Sequence, residues 1–156
     1  MSSPPDHIGW TLWRAAQAWR GEFAAAMVAA GHPWYAQARG NLVQHIGPAG
    51  IRQGDLAPRA GLTKQAVQQF VDELVADGIL ARVPEKTDAR ARRVELTQAG
   101  RKAMQDADRI KLEIQSRWTA RLGDDGFGQL DRLLRRLVDD APASALPPPG
   151  QVAIKT

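Results

Sequence analysis

The chain contains no cysteine. Disulfides, thiolate zinc sites, thiol nucleophiles and cysteine redox switches are thereby excluded. Histidine is scarce, with three in 156 residues, and His7, His32 and His45 share no metal-ligand spacing with one another or with a carboxylate pair, so no metal is expected. No apolar run approaches the ~20 residues needed to cross a bilayer; the longest small-apolar stretch is 23–30. The opening MSSPPDHIGW has no basic segment leading into an apolar one, so it does not read as a secretory leader, and a cytoplasmic protein is expected. A strand-preceded glycine loop, a nucleophile with a base partner and a paired acidic motif are all missing, and the chain reads as a non-enzyme without a cofactor.

The composition that remains is that of a folded protein, with 44% hydrophobic and 24% charged residues over one domain's length. Twenty-one Lys and Arg against seventeen Asp and Glu leave a formal charge of +4. That suits a polyanionic partner without requiring one. Ile8, Leu12, Ala15, Ala16, Trp19, Phe23 and Met27 recur at three- to four-residue spacing and predict a long helix over 7–30, with Trp10 and Trp13 on a second face. Gly31, His32 and Pro33 stop it, and 34–46 predicts a second helix. Two short helices are expected over 52–62 and 63–77, separated by Gly61, with Thr63 as N-cap and Gly78 at the left-handed exit. The period then falls to two. Residues 79–83 and 93–97 predict a hairpin around the polar PEKTDARA, followed by helices over 97–122 and 125–138. Residues 1–6 and the Pro-rich 139–156 are expected to be disordered.

Function is concentrated in residues 52–72. A helix-turn-helix needs a small residue where its helices touch, a glycine in the turn and apolar wedges at fixed offsets. Ala57, Gly61 and Val67 stand at those places, and Leu56, Ala60, Leu62 and Phe70 fill the other apolar positions. Pro58 departs from the pattern and predicts a kinked or partly 3-10 first helix. With Val67, Phe70, Val71 and Leu74 turned inward, the second helix presents Thr63, Lys64, Gln65, Gln68, Gln69 and Asp72 outward. Glutamine can pair with adenine N6 and N7, and lysine can reach guanine or a phosphate; the alternative is a merely solvated face. Arg52 and Gln53 are the candidate backbone contacts. The hairpin sets Arg82, Lys86, Arg90, Arg92 and Arg93 against Glu85, Asp88 and Glu95, and an arginine on such a loop can enter a minor groove.

The stretch RQGDLAPRAGLTKQAVQQFVDELVADGILARVPEKTDARARRVELTQAGR resembles the winged helix-turn-helix of the MarR family of bacterial transcriptional regulators. Asp88-Ala89-Arg90 lies at that family's distance before Leu96-Thr97. The resemblance implies a mainly helical α+β fold in which 7–138 form one domain, with a DNA-binding lobe at 50–97 and dimerisation helices within 7–46 and 97–138. It implies a homodimer on double-stranded DNA, with recognition helices in successive major grooves, a wing of Lys86, Arg90 and Arg92 whose Arg90 enters the minor groove, and Asp88 orienting that wing. The expected function is a sequence-specific regulator, a repressor on a palindromic operator relieved by a small aromatic anion. Trp10, Trp13 and His45 either line that ligand's pocket or belong to the dimer core. A winged-helix protein–protein interaction module is the alternative from another class.

Overall fold

Among the described residues the chain forms six α-helices and a small sheet. The computed structural model describes residues 7–85 and 91–141. The long helix α1 spans Ile8–Ala29. The second helix expected over 34–46 is not one helix. Pro33 starts a 3-10 turn, Pro33–Ala36, Gln37 takes an extended ψ of 165°, and only then does a single α turn form, α2 at Gly40–Val43. An extended residue cannot carry the helical hydrogen bonds across, so the segment divides there.

The helix-turn-helix follows as α3, Gln53–Ala60, and α4, Lys64–Ala76. Thr63 caps α4 as expected, its Oγ1 accepting the Ala66 N–H at 3.1 Å, and Gly61 and Gly78 take left-handed φ of 64° and 72°. Pro58 does not turn α3 into a 3-10 helix: all eight residues are α-helical. In so short a helix proline removes a single backbone bond, and the buried Leu56, Ala57 and Ala60 hold the rest in place.

The hairpin strands are β2, Leu80–Pro84, and β3, Arg92–Leu96, each one residue from the expected register. A further strand joins them. β1, Ile51–Arg52, pairs antiparallel with β3, Ile51 opposite Val94, and makes the order β1-β3-β2. Gly50 permits that approach, because a Cβ there would lie 2.7 Å from the Val94 carbonyl oxygen. Two residues show no period of their own, so the sequence pattern did not reveal this strand.

Helix α5, Gln98–Leu122, and helix α6, Asp124–Asp139, complete the described chain. The main core lies in the lobe, where Leu42 and Val43 meet Leu56, Val67, Val71, Leu74, Leu80 and Val94. A smaller core ties α1 to α5 through Met27, Ala107, Ile110 and Ile114, flanked by Trp19, Phe23 and Trp118. The first half of α1 and all of α6 stand outside both, leaving Ile8, Trp10, Trp13, Leu133 and Leu137 exposed. Among the described residues no helix is long and apolar enough to cross a membrane.

Candidate nucleic-acid interface

Because Val67, Val71 and Leu74 are buried, α4 has no choice about its outward face. Lys64, Gln65, Gln68, Gln69 and Asp72 are all exposed. Beside that face runs a cleft of about 780 Å³, bounded by Arg52, Gln53, Lys64, Gln68, Arg82 and Arg92. Arg52, Lys64, Arg82 and Arg92 of the lining are cationic against one carboxylate, Asp55, so the cleft between α4 and the hairpin carries an excess of positive charge, as a surface facing phosphates must. Thr63 spends its hydroxyl on the cap. Lys64 and Gln65 point outward, whereas Gln69 donates to Glu73 at 3.0 Å and Glu73 in turn accepts from Arg39 at 3.1 Å.

Gln68 is held on both sides. Its Oε1 accepts from Gln53 Nε2 at 2.5 Å, and its Nε2 donates to both oxygens of Asp72 at 3.1 Å. Asp72 also pairs with Arg82. Arg82 and, after it, the Gln68 amide hold the Asp72 carboxyl below its ordinary pKa.

Where the hairpin strands meet their loop, the structure brings together residues that the sequence reading kept apart. Arg52 Nε and Arg93 Nη2 lie 3.3 and 3.2 Å from Glu85 Oε2, and the Glu85 side chain is only 6% exposed. Arg93 also donates to the Ala49 carbonyl at 2.7 Å. Glu85 thus fastens β1 to β3 and fixes where Arg52 leaves the sheet. The sequence reading entered Glu85 only in a charge balance; its position right after Pro84, opposite two arginines on paired strands, was the available signal. Arg92 is exposed at the cleft. The wing residues Lys86, Asp88 and Arg90 lie outside the described residues.

The family model described as MarR family matches residues 41–91, the stretch that holds α2, α3, α4 and β2. The fold is the MarR-family winged helix. The chain is similar in structure to the YusO protein of Bacillus subtilis, with a TM-score of 0.71 at 19% identity over 86% of this chain and 94% of that one. A MarR-family transcriptional regulator of Rhodococcus sp. RHA1 aligns with a TM-score of 0.62 at 22% identity, covering 88% of this chain and 96% of that one. A mutant of MepR from S. aureus, solved bound to an oligodeoxyribonucleotide, gives 0.65 at 14% identity, covering 86% and 98%. No curated protein matches the sequence.

The tryptophans of this winged-helix fold divide into two groups. Trp10 and Trp13 stack on each other at 4.8 Å between ring centroids, both about half exposed. His45 follows α2, where burial and then the Arg59 charge lower its pKa. A cavity of about 580 Å³ is lined instead by Trp19, Arg20, Phe23, Tyr35, Asn41 and Lys111. Trp13 lies six residues before Trp19, roughly 9 Å along the axis of α1. This cavity is a different place on α1 from the Trp10–Trp13 pair.

Proposed function

We propose that the chain is a DNA-binding transcriptional regulator without catalytic activity, acting in the cytoplasm as a homodimer on a two-fold symmetric operator. The observation that carries this reading is the cationic cleft between the exposed face of α4 and the hairpin. Lys64, Gln65, Gln68 and Gln69 are the base-facing residues, Thr63 sets the start of their helix, and Arg52 and Gln53 flank the backbone. Arg92, with Lys86 and Arg90, forms the wing, Arg90 entering the minor groove and Asp88 orienting it. The MepR complex with an oligodeoxyribonucleotide supports this use of the fold. Two recognition helices related by a dyad read half-sites about 10 base pairs apart.

Binding to duplexes taken from upstream of the chain's own coding region tests the reading. A specific duplex should bind at least about 10³-fold more tightly than a random one, with affinity falling steeply as salt rises. Equal, weak binding to both would overturn it and favour a protein–protein interaction module.

Repression relieved by a small aromatic anion is the mode of control we propose. The cavity between α1, α5 and the segment around Tyr35 offers Trp19, Phe23 and Tyr35 for stacking and Arg20 and Lys111 for a carboxylate. It is better furnished for such a ligand than the exposed Trp10–Trp13 pair, whose position suits a dimer contact. Salicylate-like anions should quench tryptophan fluorescence and release the operator, and Trp19→Ala should blunt both effects more than Trp13→Ala. The reverse order would return the ligand to the Trp10–Trp13 face.

A further inference from the structure

Four side chains from three elements close a ring at the mouth of the cleft. Arg82 of β2 donates from Nε to Gln53 Oε1 at 3.0 Å, and Gln53 Nε2 donates to Gln68 Oε1 at 2.5 Å. Gln68 Nε2 donates to Asp72 at 3.1 Å, and Arg82 Nη2 donates to the same carboxylate. The direction of every bond follows from the two charged members. A guanidinium only donates and a carboxylate only accepts, so Gln53 must turn its oxygen to Arg82, and Gln68 must turn its NH2 to Asp72. The remaining bond, amine of Gln53 to oxygen of Gln68, is then of matching sense. Neither amide can flip without setting two donors or two acceptors against each other.

We propose that Arg82 is a positioning residue for base selection, acting through this ring to fix the order of donor and acceptor that Gln68 presents. The inference rests on the DNA-binding reading above and says which of its residues selects a base. A primary amide offers two hydrogens and two acceptor sites. The ring engages Gln68 on its oxygen and on its nitrogen, and the amide retains one acceptor and one donor, the complement of adenine N6 and N7. With the amide order fixed, Gln68 accepts adenine in one orientation of the A·T pair. Arg82 itself stays behind Gln53 and Asp72 and touches no base.

Selection of bound duplexes from a randomised pool, using the full chain, tests this. The wild type should favour adenine at one position of each half-site by roughly 5- to 150-fold, the range that a bidentate contact gives. Gln68→Ala should abolish that preference. Arg82→Ala should cut it to about threefold or less while leaving preferences at other positions in place, and in the Gln68→Ala background it should change nothing further at that base. Arg82→Lys keeps a charge beside Asp72 but lacks the guanidinium fork, and serves as the second variant should Arg82→Ala unfold. Retained adenine preference in both Arg82 variants, equal loss at every position, or the same loss without Gln68 would overturn the proposal.

A wild type that selects no sequence would overturn the DNA reading and base selection with it. The ring has its own readout in the free protein. Side-chain amide resonances of Gln53 and Gln68 should stand apart from that of exposed Gln65 and collapse toward it in Arg82→Ala. Coincident resonances in the wild type would show that no ring forms.

Discussion

Helices α4 and α6 are similar in design and opposite in fate. Both are short amphipathic helices, of 13 and 16 residues. On α4 the apolar stripe Val67, Val71 and Leu74 is buried against α3 and the sheet. On α6 the stripe Leu130, Leu133, Leu134, Leu137 and Val138 is just as regular, yet no residue is buried, and Leu137 is 64% exposed. Amphipathicity states that a face needs a cover; only the chain's topology states whether the same chain supplies it. The lobe closes on itself, whereas α6 and the first half of α1 carry apolar surface that a single protomer leaves in water, a costly arrangement unless a second copy covers it.

The largest expected effect breaks the comparison at α6. Leu134→Asp combined with Leu137→Asp should convert a dimer into a monomer, because burying each leucine is worth about 1.5–3 kcal/mol and a carboxylate cannot take its place. Sedimentation should show dimer association weakened by at least about 100-fold relative to the wild type, while circular dichroism reports an intact lobe. A wild type that sediments only as monomer at micromolar concentration would mean that α6 is not covered by a second copy.

The complementary change damages the lobe and spares α6. Gly100 sits where α5 leaves the sheet; a Cβ there would come within 2.3 Å of the Ile79 carbonyl oxygen and 3.1 Å of Leu96 Cδ2. Thr97, the cap of α5, lies beside the same turn, its Oγ1 2.6 Å from the Gly78 carbonyl oxygen and 3.1 Å from the Gly100 N–H that it accepts. Gly100→Ala must therefore push α5 off the lobe, at a cost of about 3 kcal/mol. The melting temperature should fall by several degrees with the dimer still present in sedimentation. An unchanged melting temperature would show that α5 and the turn leading into β2 are not in contact at this point.

How much of this was legible in the sequence depends on range. The α4 cap at Thr63, the left-handed exits at Gly61 and Gly78 and the outward face of Lys64 to Asp72 are local consequences of residue type, and periodicity shows them. The two-residue strand at Ile51–Arg52 and its Arg52–Glu85 pair depend on partners about 33 to 43 residues away in the chain. No local pattern records those. Pro58 misled in the other direction, since a proline rule for long helices overstates the loss in one of eight residues. At the candidate interface, residue types pointed to Gln68 as a reader but not to the side chains that hold it, because Gln53 and Arg82 are 15 and 29 residues from their ring partners.

A smaller effect sharpens the contrast between the helix starts. α4 begins with a side-chain cap, whereas α6 begins at Gly123 with none. Thr63→Ala should destabilise the lobe by about 1 kcal/mol, the usual worth of such a cap, and hydrogen exchange should quicken at the first turn of α4 while α6 is unaffected. Equal exchange in the variant and the wild type would place the stability of α4 wholly in its buried stripe.

The smallest effect concerns the seam between the two regions. Asp106 on α5 accepts from His32 Nε2 at 2.9 Å, at the exit of α1, and from Lys102 at 3.0 Å. Those bonds, the His32 one foremost, hold its carboxyl down to about 2 from an ordinary 3.8. A carboxylate whose pKa is lower in the folded state binds fewer protons there than in the unfolded chain at intermediate pH, so it stabilises the fold above about pH 4 and loses that contribution as pH falls toward 2. Asp106→Asn removes this dependence. Wild type and variant should differ most in melting temperature near neutral pH and converge as pH falls from about 4 through about 2. Because Lys102 is exposed and solvent screens it, the neutral-pH gap should be small, below the effects of Gly100→Ala and of the α6 pair. A gap that stays constant from pH 6 to pH 2 would mean that the asparagine acts through packing, and that this contact is not where α1 and the lobe are electrostatically joined.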